Sequence, residues 1–129
     1  MLRPKALDHV GLVVSDLERS LRFYCEGLGL ELLRRSGPKA DGVSSAVLKV
    51  GTQEINVFCD PNGGPTQGEG AERIHHFCLA MDGSHIDEVV AALRQAGIEV
   101  AKGPVQRRDG TSLFVEDPDG IRVELSVKN

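Results

Sequence analysis

The segment TSLFVEDPDGIRVELSV, residues 111–127, predicts two β-strands connected by a tight turn. The turn is DPDG, residues 117–120, in which aspartate, proline and glycine each favour a reversal of the chain. In the strand after the turn, Val123 and Leu125 face one side of the predicted sheet and Glu124 faces the other, because successive strand residues alternate. This hairpin therefore combines an apolar face that another element must cover with an opposite face that carries a carboxylate.

The elements around this hairpin are predicted in the same order in both halves of the chain. Hydrophobic periodicity and turn residues give a strand, a helix and three further strands each time. The first half has predicted strands at 7–14, 30–35, 44–50 and 53–58, and a helix that begins at a capping box of Ser15 and Glu18. The second half has predicted strands at 74–81, 98–101, 111–116 and 121–127, and a helix that Ser84 caps and Gly97 ends.

A nearly constant spacing relates the two halves. His76 follows His9 by 67 residues, and Glu124 follows Asn56 by 68 residues. A duplicated βαβββ unit accounts for both spacings, whereas a chance similarity between two α+β stretches would not keep them so close.

The repeat predicts the organisation of the chain and its fold class. Residues 1–58 form a first βαβββ module, residues 59–72 a polar, glycine-rich linker, and residues 73–129 a second βαβββ module. The predicted fold is α+β, with the two tandem modules forming a cupped, barrel-like mixed sheet and the helices outside.

The face opposite the apolar one carries the candidate functional residues. His9, His76, Glu124 and Asn56 all lie on it, at equivalent points of four predicted strands. Two imidazoles and one carboxylate that converge on rigid strands are typical of a metal site with open coordination positions. A single strand histidine is more often structural, but three such residues at repeat-equivalent positions favour a divalent metal, with Zn, Fe, Mn, Ni and Co all compatible.

Bulk composition excludes several classes of protein. The 129 residues carry a net charge of −4 and only 4% aromatic residues, which gives no basic field and few stacking platforms for nucleic acid. No apolar run is long enough to span a bilayer, and we expect no membrane partner. Three cysteines without metal-motif spacing are typical of reduced thiols, so the prediction is a cytoplasmic protein.

The chain also resembles the vicinal oxygen chelate superfamily, which includes glyoxalase I, extradiol dioxygenases and bleomycin resistance proteins. The resemblance covers essentially the whole chain and rests on three stretches: LDHVGLVV at 7–14, HFCL at 76–79 and FVEDPDGIRVEL at 114–125. By position it makes His9, His76 and Glu124 the metal ligands.

One residue departs from the glyoxalase I pattern. Asn56 stands at the fourth family position, where glyoxalase I has a glutamate that ligates metal and moves the substrate proton. Asn56 is therefore a candidate catalytic residue together with Glu124, but an amide cannot act as a carboxylate base. Glu54 has the same parity as Asn56 and is the alternative metal contact.

Two functions remain open at this point. The first is a metal-dependent enzyme, a lyase or isomerase or a ring-cleaving dioxygenase, which chelates a small oxygenated substrate. The second is a binding or resistance protein that sequesters a small ligand without turnover. Arg107 and Arg108 precede the predicted strand at 111–116 and either meet an anionic substrate group or are solvated, and Cys78 either touches substrate or is packed. The resemblance implies a homodimer in which the modules pair within one chain or across two.

Overall fold

The computed structural model describes residues 3, 6–61, 76–81 and 85–128. The chain divides into two compact units, one formed by residues 1–25 and 29–66 and the other by residues 26–28 and 67–129. Each unit contains one four-stranded mixed sheet, which confirms the predicted α+β class with repeated modules. Over the described residues, the strands form two separate sheets and no closed barrel.

The first unit has its strands in the order β1-β4-β3-β2. Its outer strand β1 runs parallel to β4, and the other neighbours are antiparallel. The elements are β1 at His9–Val14, α1 at Leu17–Leu21, β2 at Glu31–Ser36, β3 at Ser44–Val50 and β4 at Gln53–Cys59.

Helix α1 begins one residue later than the sequence suggested. Asp16, not Ser15, is the N-cap, and its carboxylate accepts a hydrogen bond of 3.0 Å from the backbone N–H of Arg19. Two adjacent residues can each cap a helix, and the extended conformation of Asp16 decides between them. The helix continues as a π-helical segment, Arg22–Gly27.

The covered face of the first sheet is the one that the alternation predicted. Leu17, Leu21 and Tyr24 from the helical segment are buried, as are Ile55 and Val57 from β4. Burying each of these apolar side chains contributes roughly 1.5–3 kcal/mol to the free energy of unfolding. The helix therefore covers one face of the sheet and leaves the face with the polar residues available.

The second unit repeats this arrangement, with strands in the order β5-β8-β7-β6 and β5 parallel to β8. Its helix buries Val89 and Leu93. Ser84, the predicted cap, lies outside the described residues, as do residues 62–72 of the predicted linker and residues 74–75 of the predicted strand. The elements are β5 at Phe77–Ala80, α2 at Ile86–Gln95, β6 at Lys102–Arg107, β7 at Gly110–Glu116 and β8 at Arg122–Lys128.

The strand predicted at residues 98–101 is wrong. The strand at this place is β6, Lys102–Arg107, which includes Pro104. Proline has no N–H to donate, and the structure accommodates it because β6 lies at the edge of the sheet, with a register shift between Lys102 and Val105. The sequence rule that places proline in turns therefore shifted the prediction toward the N-terminus.

Strand register supports the predicted correspondence between the modules. Asn56 is the partner of Gly11 in the β1–β4 pair, and Glu124 is the partner of Cys78 in the β5–β8 pair. These positions keep the spacings of 67 and 68 residues seen in the sequence. No helix among the described residues is long and apolar enough to cross a lipid bilayer.

Candidate functional site

The turn between β7 and β8 fixes the strand that carries Glu124. The carboxylate of Asp117 accepts hydrogen bonds of 2.8 Å from the backbone N–H groups of Asp119 and Ile121. Gly120 adopts a φ of 81°, a left-handed conformation that glycine reaches without steric cost. The DPDG sequence is thus a hydrogen-bonded turn built around one buried aspartate, and it sets where β8 begins.

His76 and Glu124 come together on the face of the second sheet that the helix does not cover. The Nε2 atom of His76 lies 3.0 Å from Oε1 of Glu124, and their side chains are 32% and 15% exposed. Phe114, the β7 partner of Glu124, packs the edge of its ring against His76 with ring centroids 5.3 Å apart. Two of the three predicted metal ligands are therefore adjacent and partly shielded from water.

Asn56 occupies the equivalent place in the first sheet. Its Oδ1 atom is buried and has no hydrogen-bond partner among the described residues. The residue opposite it is Gly11, so no side chain projects from that neighbouring position. An unpaired buried amide oxygen costs about 1–3 kcal/mol, and a bound donor or cation would remove that cost.

His9 lies at the start of β1, also in the first unit. Its Nδ1 atom is 2.8 Å from Oδ2 of Asp8, and its side chain is 48% exposed. Histidines that bind metal usually give their second ring nitrogen to such a carboxylate, which leaves Nε2 for the metal. Glu54 is the β4 partner of His9 and is half-buried. In the described part of either unit, no three His, Cys, Asp or Glu side chains form a group that could hold a metal.

Cys78 lies on the same side of the second sheet as Glu124. Partial burial, and then the Glu124 carboxylate, raise the pKa of the Cys78 thiol above its ordinary value, while the Lys128 ammonium acts in the opposite direction. Cys78 is therefore a neutral thiol at neutral pH.

Two cations near Phe114 include one that the sequence analysis missed. Lys102 and Arg107 both lie close to the ring, and Arg107 donates from Nε to Oγ of Ser112 at 3.1 Å. Arg107 was expected in a loop, but it is the last residue of β6, whereas Arg108 lies in the following turn. A correct assignment of β6 would have identified Lys102, because it is the direct partner of Phe114.

These features agree with the comparison to known proteins. Residues 6–125 match the Glyoxalase/Bleomycin resistance protein/Dioxygenase superfamily. The chain belongs to this superfamily, as the sequence resemblance indicated.

Individual relatives agree in length and fold. The chain is 36% identical over 121 residues to a lactoylglutathione lyase of Escherichia coli O157:H7, covering 91% of this chain and 88% of that protein. It is 32% identical over 125 residues to a virulence protein of Salmonella typhimurium, covering 93% and 82%. A crystal structure of a glyoxalase family protein from Enterococcus faecalis superposes with a TM-score of 0.77 at 29% identity, covering 95% and 97%.

Proposed function

We propose that this chain is a divalent-metal-dependent enzyme of the glyoxalase type, which holds a small substrate through two oxygen atoms. The observation that carries the proposal is the close approach of His76 and Glu124 on the uncovered face of the second sheet. A histidine and a glutamate that meet half-buried are the donors that a divalent transition metal prefers. The similarity to proteins named lactoylglutathione lyase supports an enzyme of this family.

The proposed ligands are His9, His76 and Glu124. The donor set fits, because two neutral imidazoles and one carboxylate leave a metal with a net positive charge and open positions. The contact between His9 and Asp8 supports this assignment, since it orients the ring and leaves Nε2 to coordinate. Such a metal, when bound, would act as a Lewis acid toward the substrate oxygens.

Asn56 has a different role from that of a glutamate at the same place. At neutral pH an amide neither gains nor loses a proton, so Asn56 cannot transfer one between substrate atoms. Its buried Oδ1 can accept a hydrogen bond from a substrate hydroxyl or a bound water, and its NH₂ group can donate one. Asn56 therefore orients the substrate, and we propose that the reaction differs from that of lactoylglutathione lyase.

Glu54 is the nearest carboxylate alternative in the first unit. It is the register partner of His9 and lies two residues before Asn56 on the same side of β4. Substituting Asn56 and Glu54 separately would show which one affects metal affinity.

Metal analysis tests the proposal directly. We expect about one divalent metal per chain in protein that has never met a chelator. The variants His76→Ala and Glu124→Ala should each lose most of it, because removing one ligand of three weakens binding by at least about tenfold. His85→Ala is the matched control, since this exposed histidine lies at the start of α2. Unchanged metal content in His76→Ala would refute the metal assignment.

The neutral Asn56 also favours a second candidate, a protein that sequesters a small ligand without converting it. A screen of α-ketoaldehyde–thiol adducts and catechols separates the two. Consumption of a compound that stops in Glu124→Ala supports the enzyme, whereas stoichiometric binding without consumption supports sequestration.

A further inference from the structure

Phe114 lies between two groups of side chains in the second unit. On one side its ring meets the ring of His76 edge to face, at 5.3 Å between centroids. Near the same ring lie the Nζ atom of Lys102, 5.9 Å from the centroid, and the Cζ atom of Arg107, 6.0 Å from it. The aromatic ring therefore separates two cations from the His76–Glu124 pair by the width of one side chain.

The strand register places these groups on one face. Lys102 is the partner of Phe114, Phe114 is the partner of Glu124, and direct partners in neighbouring strands project to the same side. The hydrogen bond from Arg107 to the fully buried Ser112 brings the guanidinium to this side as well. Because Nε is used in that bond, the terminal N–H groups of Arg107 remain available to a ligand.

The charges of the two cations are not balanced within the described residues. Neither Lys102 nor Arg107 forms an ion pair there, and the nearby carboxylate of Glu124 already pairs with His76. Two positive groups on one ring repel each other at distances shorter than the Debye length of about 8 Å, unless an anion lies near them. The ring face adds an attraction of roughly 0.5–1 kcal/mol per exposed cation, which holds them in place without neutralising them.

The first sheet has no such arrangement. Arg34 lies opposite Val47 there, at the place that corresponds to Lys102 opposite Phe114. Valine offers no aromatic ring to hold a cation. The pair of cations is thus a feature of the second module and not of the repeated fold.

We propose that Lys102 and Arg107 form an anion-binding subsite that takes a carboxylate or phosphate group of the substrate, while Ser112 positions the Arg107 guanidinium. The inference rests on the proposed function, since it places the anionic end of the substrate beside the His76–Glu124 pair. It narrows the substrate class to small oxygenated molecules that carry a negatively charged group. Arginine and lysine together suit such oxygens, the first through its planar fork and the second as a point charge.

Titration of the purified protein with inorganic phosphate and, separately, with acetate tests the subsite. Amide chemical shifts report where each anion binds. The untreated protein and the chelator-treated, dialysed protein are both titrated, because phosphate can also coordinate a metal. We expect shifts at Lys102, Arg107 and Ser112 in both preparations, and the tighter of the two anions identifies the substrate group.

The double variant Lys102→Met and Arg107→Met removes both charges but keeps side chains that cover the ring. It should weaken anion binding by about tenfold or more, the loss expected when a charged hydrogen-bonding group is removed. The control Lys49→Met and Arg94→Met removes the same total charge from exposed positions on β3 and α2, and should change binding less than about twofold. Equal losses in both double variants, or no saturable anion binding in the wild type, would overturn the proposal.

A charge-preserving variant separates recognition from packing. Lys102→Arg with Arg107→Lys should retain anion binding within about threefold, because exposed ion contacts depend mainly on charge. If the methionine variant proves unstable, loss of anion binding in this folded charge-preserving variant would count against the subsite. Metal content is measured on the same samples, so a wild type that binds phosphate but no metal would refute the proposed function and leave the subsite standing.

Discussion

Replacing Asp117 by alanine should destabilise the protein strongly, although Asp117 is neither a proposed ligand nor in the subsite. Its side chain is buried at 4% exposure, and Oδ1 accepts two backbone hydrogen bonds of 2.8 Å. The variant leaves the N–H groups of Asp119 and Ile121 without this acceptor in a half-buried turn. Each hydrogen bond to a charged group contributes about 1.5–3 kcal/mol, and partial access to water favours the lower value.

The expected loss is therefore about 3 kcal/mol in the free energy of unfolding. An unfolding entropy of about 2.1 cal/mol/K per residue gives about 0.27 kcal/mol/K for this chain, so the Tm should fall by about 11 °C. Urea denaturation followed by circular dichroism measures the free energy directly, with an unchanged m-value if the unfolded state is the same.

Two further variants control this result. Asp117→Asn keeps a side-chain oxygen as acceptor and should cost about 1 kcal/mol, because it loses the charge but not the hydrogen bonds. Glu99→Ala removes an exposed carboxylate of the same unit and should change stability by less than about 0.5 kcal/mol. An Asp117→Ala variant whose stability stays close to that of the wild type would show that the turn does not depend on this carboxylate.

Three other predictions follow from the same structure. The wild type loaded with Zn, Ni or Co should show negligible turnover of the methylglyoxal–glutathione hemithioacetal because Asn56 cannot move the proton, and a kcat of roughly 1–10³ per second would refute this reasoning. The Lys128 ammonium, at 2.8 Å, donates a hydrogen bond that holds the pKa of the Asp109 carboxyl below its usual range. Lys128→Met should raise that pKa in a carbon-13 NMR titration, and an unchanged midpoint would contradict the contact. Light scattering at micromolar concentration should report a homodimer, and a metal-bound monomer would defeat this expectation.

The alternation of side chains predicted the faces of the strands well. Leu12 and Val14 are buried and Val13 is exposed, and Ile55 and Val57 are buried. This succeeds because a strand has a period of two residues and one face of each sheet is covered by a helix. The same rule, together with the repeat, predicted that His76 and Glu124 share one side of the second sheet, where their side chains meet.

Where the sequence prediction failed, two local signals competed. Ser15 and Asp16 are both good capping residues, and only the backbone conformation distinguishes them. Pro104 indicates a turn in isolation, yet an edge strand tolerates it. The second error concealed Lys102, because its register with Phe114 depends on a strand that begins at residue 102.

The two modules differ in chemistry while their strand register is the same. Asn56 opposite Gly11 and Glu124 opposite Cys78 occupy equivalent ladder positions. Backbone geometry therefore does not account for the difference, and the side chains alone do. The Glu124 carboxylate is already paired with His76, whereas Asn56 Oδ1 has no partner among the described residues. Under the proposed function, a substrate that satisfies this amide oxygen must present a hydrogen-bond donor to the first module. Its anionic group belongs with the second, so the substrate we propose carries a hydroxyl and a negative charge at separate positions.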